Sequence, residues 1–115
     1  MKKLMILAFV FAIISTANAQ VKTPQASTFQ TNTQIVGLTN VELSYSRPSM
    51  KGRKIFGNLV PYNKLWRTGA NANTTISFDE NVMIGGKIIK AGTYAIYTKP
   101  NMTSWEVYFY SDASN

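Results

Sequence analysis

The stretch VMIGGKIIKAGTYAIYTKP, residues 82–100, decides how this chain folds. Its Gly85-Gly86 pair can take the positive φ angles of a two-residue hairpin turn, so Val82–Ile84 and Lys87–Ile89 are predicted to pair antiparallel. Ala91-Gly92 supplies a further turn, and residues 93–98 follow as another strand, closed by the turn chemistry of Lys99-Pro100-Asn101. Along that strand Tyr94 and Ile96 face one side and Ala95 and Tyr97 the other. A strand that can be covered on both faces belongs in the middle of a sheet.

The same alternation spreads outward in both directions. In VELSYS (41–46), Val41, Leu43 and Tyr45 alternate with Glu42, Ser44 and Ser46, until Arg47-Pro48 ends the strand because proline cannot donate to the ladder. Thr74, Ile76 and Phe78 share a side in TTISF, and Trp105, Val107 and Phe109 oppose Glu106, Tyr108 and Tyr110 in WEVYFY. Short strands separated by Gly, Pro and Asn turns predict an all-β domain, an antiparallel β-sandwich over residues 34–115. Residues 20–33, rich in Thr, Ser, Gln and Pro, read as an exposed lead-in. The sequence ends soon after its most aromatic strand, so an exposed apolar edge is expected near Trp105–Tyr110, and the sandwich is read as truncated at its C-terminus.

The first twenty residues, MKKLMILAFVFAIISTANAQ, carry two lysines, a short apolar run and the small-residue sequence Ala17-Asn18-Ala19. That is the pattern of a secretory signal peptide over residues 1–19, and the apolar run is too short to span a bilayer. The expected location is periplasmic or secreted, with no transmembrane segment in the mature chain. Without Lys2 and Lys3 the counts fall from twelve basic and five acidic residues to ten and five, a net charge of +5. No cysteine is present, so neither a disulfide nor a lipid-modified cysteine is available.

With no histidine and no cysteine, the chain cannot build a Ser-His-Asp triad, a Cys-His dyad or a zinc site of the usual ligands. Neither cofactor nor metal is expected. Proton chemistry would fall to five carboxylates, to lysines or to tyrosines, which points away from an enzyme and leaves a carboxylate, Lys or Tyr hydrolase as an alternative. Asp79-Glu80 reads as a solvated turn, because neighbouring strand residues point to opposite faces while glycosidase carboxylates face each other across a bond. The sequons at Asn73 and Asn101 carry no weight in a bacterial exported protein.

Six cationic side chains, three aromatic rings and no carboxylate crowd residues 47–71, RPSMKGRKIFGNLVPYNKLWRTGAN. Arg47, Lys51, Arg53 and Lys54 surround a glycine loop that is either a small anion site or a solvated charge run. Ile55, Phe56, Leu59 and Val60 read as an apolar plug, with room for one short helical turn. Trp66, Arg67, Asn71 and Asn73 combine a flat ring with planar donors, as a sugar or anionic small molecule requires. Core packing of Trp66 and an ion pair of Arg67, with Glu42 as one partner, are the competing reading. In a strand Trp66 and Arg67 point to opposite sides unless Gly69 and Asn71 allow a bend. Basic and aromatic residues interleave as in single-strand binders, but nucleic acid is disfavoured by the export signal, the moderate charge and the lack of a motif.

The motifs SRP, KGRKIFG, LVPY, WRTGAN and AGTYA, between Gly37 and Pro100, closely resemble the domain of unknown function 2911 family of small exported bacterial proteins. The resemblance covers nearly all of the mature chain and implies a β-rich domain of no established activity. It implies also that relatives continue beyond the last residue here and carry an acidic residue after WRTGAN, where this chain has Ala72. The expected function is non-catalytic binding of an anionic glycan or cell-envelope component through residues 47–73; the alternative makes the same residues a folding device.

Overall fold

The computed structural model describes residues 20–114, and the signal peptide expected over residues 1–19 lies outside the described residues. The strands are β1 (Thr28–Val36), β2 (Thr39–Arg47), β3 (Ala70–Phe78), β4 (Val82–Ile84), β5 (Lys87–Ile89), β6 (Gly92–Pro100) and β7 (Trp105–Tyr110), and no helix occurs among the described residues. Five strands form one sheet in the order β1-β2-β3-β6-β7, while β4 and β5 pair as a two-stranded sheet. All the strand pairings are antiparallel. The chain is therefore all-β, as its alternation predicts, with β6 inside the larger sheet. The Gly85-Gly86 hairpin also has the predicted bounds, both glycines at positive φ.

Register sorts the side chains by chemistry. Leu43, Ile76 and Tyr94 form one cross-strand row, and Ile96 sits opposite Phe109, so one face is apolar. Its rings touch in series, Phe78 with Tyr94 at 6.3 Å and Tyr94 with Phe109 at 6.4 Å between centroids. The opposite face is polar, and hydroxyl pairs cross it at Thr31–Ser44 and Ser77–Thr93. Val60, Phe78, Ala95 and Pro100 are buried. The expected apolar edge is present: on β7 Trp105 is 45% and Val107 53% exposed.

Two expectations need correction. Strand structure begins at Thr28, within the segment read as a lead-in, because β1 pairs along its whole length with β2 through the turn at Gly37, φ 65°. An edge strand exposed on both faces has no apolar alternation for a pattern search to find. The strand closed by Lys99-Pro100-Asn101 in the sequence reading runs to Pro100, and the turn lies beyond it, where Asn101 N–H donates to Ser104 O.

The connection from residue 48 to 69 has turns in place of the suggested helical turn. Val60 N–H donates to Ile55 O at 2.8 Å and Gly57 N–H to Val60 O at 2.9 Å. Phe56 packs edge-on against Trp105 at 4.9 Å and Trp66 at 6.2 Å, tying this connection to the β7 edge.

On the polar face Lys99 lies opposite Glu106, with Nζ 3.4 Å from Oε1, and the Tyr108 hydroxyl donates to the other Glu106 oxygen. The Tyr108 bond, and then Lys99, hold the Glu106 carboxyl below its ordinary range; the same bond raises the Tyr108 phenol. The contribution of Glu106 to stability is present above the ordinary carboxylate pKa and fades as pH falls through its lowered value. That of Tyr108 is present below the ordinary tyrosine pKa and is lost as pH rises through its raised value. Glu106→Gln is expected to shift one tyrosine's alkaline absorbance titration downward; an unchanged titration would rule out the bond in solution.

Gly69 is at φ 129°, and a Cβ there would sit 2.9 Å from Thr74 Oγ1. Gly69→Ala is expected to cost about 1–3 kcal/mol in denaturant unfolding, the range for such strained backbone. Gly85 has open space at a φ that Asn tolerates, so Gly85→Asn should stay within about 0.5 kcal/mol.

Candidate functional site

The geometry of the basic block follows from how its end docks on β6. β3 pairs with β6 from Phe78 to Thr75, opposite Gly92 to Ala95, and then diverges. Beyond that point Trp66 takes its place: Trp66 N–H donates to Thr98 O at 2.7 Å and Thr98 N–H to Trp66 O at 2.8 Å, while Asn63 N–H reaches Pro100 O at 2.9 Å. Trp66 thereby joins Thr98 on the apolar face of the sheet, and strand alternation sends Arg67 to the polar face.

The chain then reverses through Thr68 (φ 59°), Gly69 (φ 129°) and Asn71 (φ 58°). For Thr68 this is unusual, since a β-branched residue in the left-handed region carries strain. Hydroxyl bonds hold it there. Thr68 Oγ1 donates to Trp66 O at 3.2 Å and meets the buried Thr98 hydroxyl at 2.8 Å, while the buried Thr74 hydroxyl donates to Thr68 O.

β3 enters with a wide bulge. Ala70 lies opposite Ser46 and Thr75 opposite Ser44, so residues 71–74 stand against Tyr45 alone. Bulges re-aim side chains, and this one presents Asn73 on the polar face. Asn73 Nδ2 donates to Ser114 O at 2.8 Å, and its Oδ1 accepts from the Tyr97 hydroxyl at 3.1 Å.

Around that contact are two adjoining recesses. Arg67, Asn71, Ala72, Asn73, Tyr97 and Ser114 line one of about 560 Å³. The other, of about 440 Å³, shares Asn73, Tyr97 and Ser114 and adds Leu65, Tyr110, Ser111 and Asp112. The Tyr97 and Tyr110 rings meet edge to face at 5.1 Å, and Tyr110 lies over Tyr108 at 6.5 Å. The Asp112 carboxyl is lowered by hydrogen bonds from the Ser114 hydroxyl and backbone N–H. A groove thus runs from a cation, past aromatic rings, to a carboxylate.

The eight sequence candidates divide accordingly. Arg67, Asn71 and Asn73 meet in the groove, although Asn71 also ties down the N-terminal segment, donating to Ser27 O at 3.2 Å and Gln25 Oε1 at 3.4 Å. Arg53 is drawn into its own loop: Nε donates to Met50 O at 3.0 Å and Nη2 to Ser49 O at 2.9 Å. It lines a different recess, with Trp66. Arg47, Lys51 and Lys54 are exposed and line neither. The proposed Arg67–Glu42 pair is absent, since the ion pair found among the described residues is Lys99–Glu106. Asp79 caps the β2–β3 end, accepting from Asn40 N–H at 2.8 Å. No cluster of three or more potential metal ligands occurs among the described residues.

Sequence reasoning missed Tyr97, Tyr110 and Asp112 as groove residues. Alternation could place Tyr97 and Tyr110 each on a face, but only the β6–β7 register puts them together. Searches among curated proteins and among solved structures each returned no match. The family model described as "Protein of unknown function (DUF2911)" matches residues 27–115, from just before β1 onward. Because that match spans the whole strand framework, with the turn and bulge that shape the groove, the chain belongs to the DUF2911 family.

Proposed function

We propose that the protein is an exported, non-catalytic domain that binds an acidic glycan of the cell envelope in the groove between Arg67 and Asp112. The observation that carries this reading is the β3 bulge, which sets Asn73 against Tyr97 beside Arg67. Sugars offer apolar ring faces and many hydroxyls, and the groove offers tyrosine rings with donors and an acceptor beside them. Arg67 has no hydrogen-bond or ion-pair partner among the described residues, so its planar fork is open to a sugar carboxylate.

The folding-device reading applies to a different part of the motif. Trp66 is held by reciprocal backbone bonds and by Phe56, and Arg53 closes its own loop. The two readings therefore separate at the Trp66-Arg67 peptide.

In affinity electrophoresis through polygalacturonate, the protein should be retarded relative to a neutral dextran gel. Arg67→Ala should weaken retardation about tenfold or more, as loss of a charge-assisted bond of about 1.5–3 kcal/mol requires. Equal mobility of Arg67→Ala and the unmodified protein in the acidic gel would sink the proposal. Thermal unfolding tests the division of roles: Trp66→Ala should cost about 2–3 kcal/mol, reduced from a fully buried tryptophan, and Arg67→Ala less than about 0.5 kcal/mol. A large stability loss in Arg67→Ala would return that residue to the folding role.

A further inference from the structure

The connection between β2 and β3 folds around a recess of about 480 Å³ that the glycan reading does not use. Its apolar wall comes from Phe56, Leu59, Val60, Leu65 and Trp66, and two cations, Arg53 and Lys64, stand in the same lining. No carboxylate lines it. Volume and composition fall within the range of small-molecule sites.

Two features set this recess apart from ordinary loop packing. First, its apolar residues are open to solvent although they lie side by side: Phe56 is 40%, Leu59 53% and Leu65 50% exposed, while Val60 beneath them is buried. Clustered apolar exposure of that kind marks a binding surface more often than scattered single residues do. Second, the cations are not neutralised within the protein. Lys64 has no ion pair among the described residues, and the bonds of Arg53 go to the neutral carbonyls of Ser49 and Met50, which leave its charge intact.

We infer that this recess is a second site, for a small amphiphilic carboxylate: an aliphatic tail against Leu59, Leu65 and Trp66, and a carboxylate head beside Lys64 and Arg53. Charge complementarity selects the head group, since a cationic or zwitterionic amphiphile would bring positive charge to a lining that already holds two. The tail removes from water the apolar surface that the fold leaves exposed. Because Trp66 and Arg67 leave the chain on opposite sides of the sheet, this site and the glycan groove are separate and each stands without the other.

Calorimetric titration of the purified protein with octanoate, 1-octanol and acetate tests the assignment. Octanoate is expected to bind saturably at one site, with octanol about tenfold weaker or more and acetate not bound at the same concentrations. Leu59→Glu, at an exposed position, is expected to weaken octanoate about tenfold or more by placing a carboxylate against the tail. Should that variant fail to fold, Lys64→Glu, at an exposed side chain with no ion pair, is expected to remove the preference for octanoate over octanol. Octanol binding as tightly as octanoate, acetate binding as tightly as octanoate, or octanoate binding that is unchanged in the folded variant would each overturn the inference.

Discussion

The ladder groups of β6 beyond Ala95 need partners, and that requirement organises the rest of the molecule. Once β3 diverges after Thr75, the β6 edge would present unpaired N–H and C=O groups at Thr98 and an unpaired C=O at Pro100, which carry a cost when buried. Asn63 and Trp66 supply the missing bonds. From this docking follow the side taken by Trp66, the side taken by Arg67, and the reversal through Thr68 and Gly69 that returns the chain to the sheet as β3. The wide bulge opposite Tyr45 is the other end of the same event, since the residues that leave the ladder must be accommodated before pairing with β2 resumes at Ser46.

Hydroxyl groups carry much of this arrangement. Thr68, Thr74 and Thr98 are linked to one another and to the turn's backbone, and no buried side-chain polar atom among the described residues lacks a partner. Buried hydroxyls without partners would cost more than their bonds contribute, so the network works only as a complete set. In a small domain without a disulfide, these bonds fix a conformation that apolar burial alone would leave loosely specified.

Much of the fold was legible in the sequence because alternation and glycine turns act locally. Gly85-Gly86, Val41–Leu43–Tyr45 and the two-faced strand around Ala95 each announce themselves within a few residues. β1 does not, since Thr31, Asn32 and Thr33 are exposed whichever way they point. The groove was half legible. Arg67, Asn71 and Asn73 stood out by residue type, whereas Tyr97, Tyr110 and Asp112 reach it only through the β6–β7 register and the path of residues 111–114. The grouping of six cations as one block was a property of sequence distance. In space Arg53 and Arg67 belong to different recesses.

What the WRTGAN motif is for can be argued by asking which of its residues the fold already explains. Trp66 pairs with Thr98 and packs on Phe56; Thr68 joins the hydroxyl network; Gly69 has no room for a side chain beside Thr74. Asn71 adopts a left-handed conformation that suits asparagine and holds the segment before β1 through Ser27 and Gln25. Ala70 closes the ladder against Ser46. Each of these residues has a structural task that a substitution would disturb. Arg67 has none: exposed and unpaired among the described residues, it would be replaceable if folding were the motif's whole purpose. The turn holds a cation that the fold does not use, at the mouth of a groove whose other residues are shaped by the same turn and bulge.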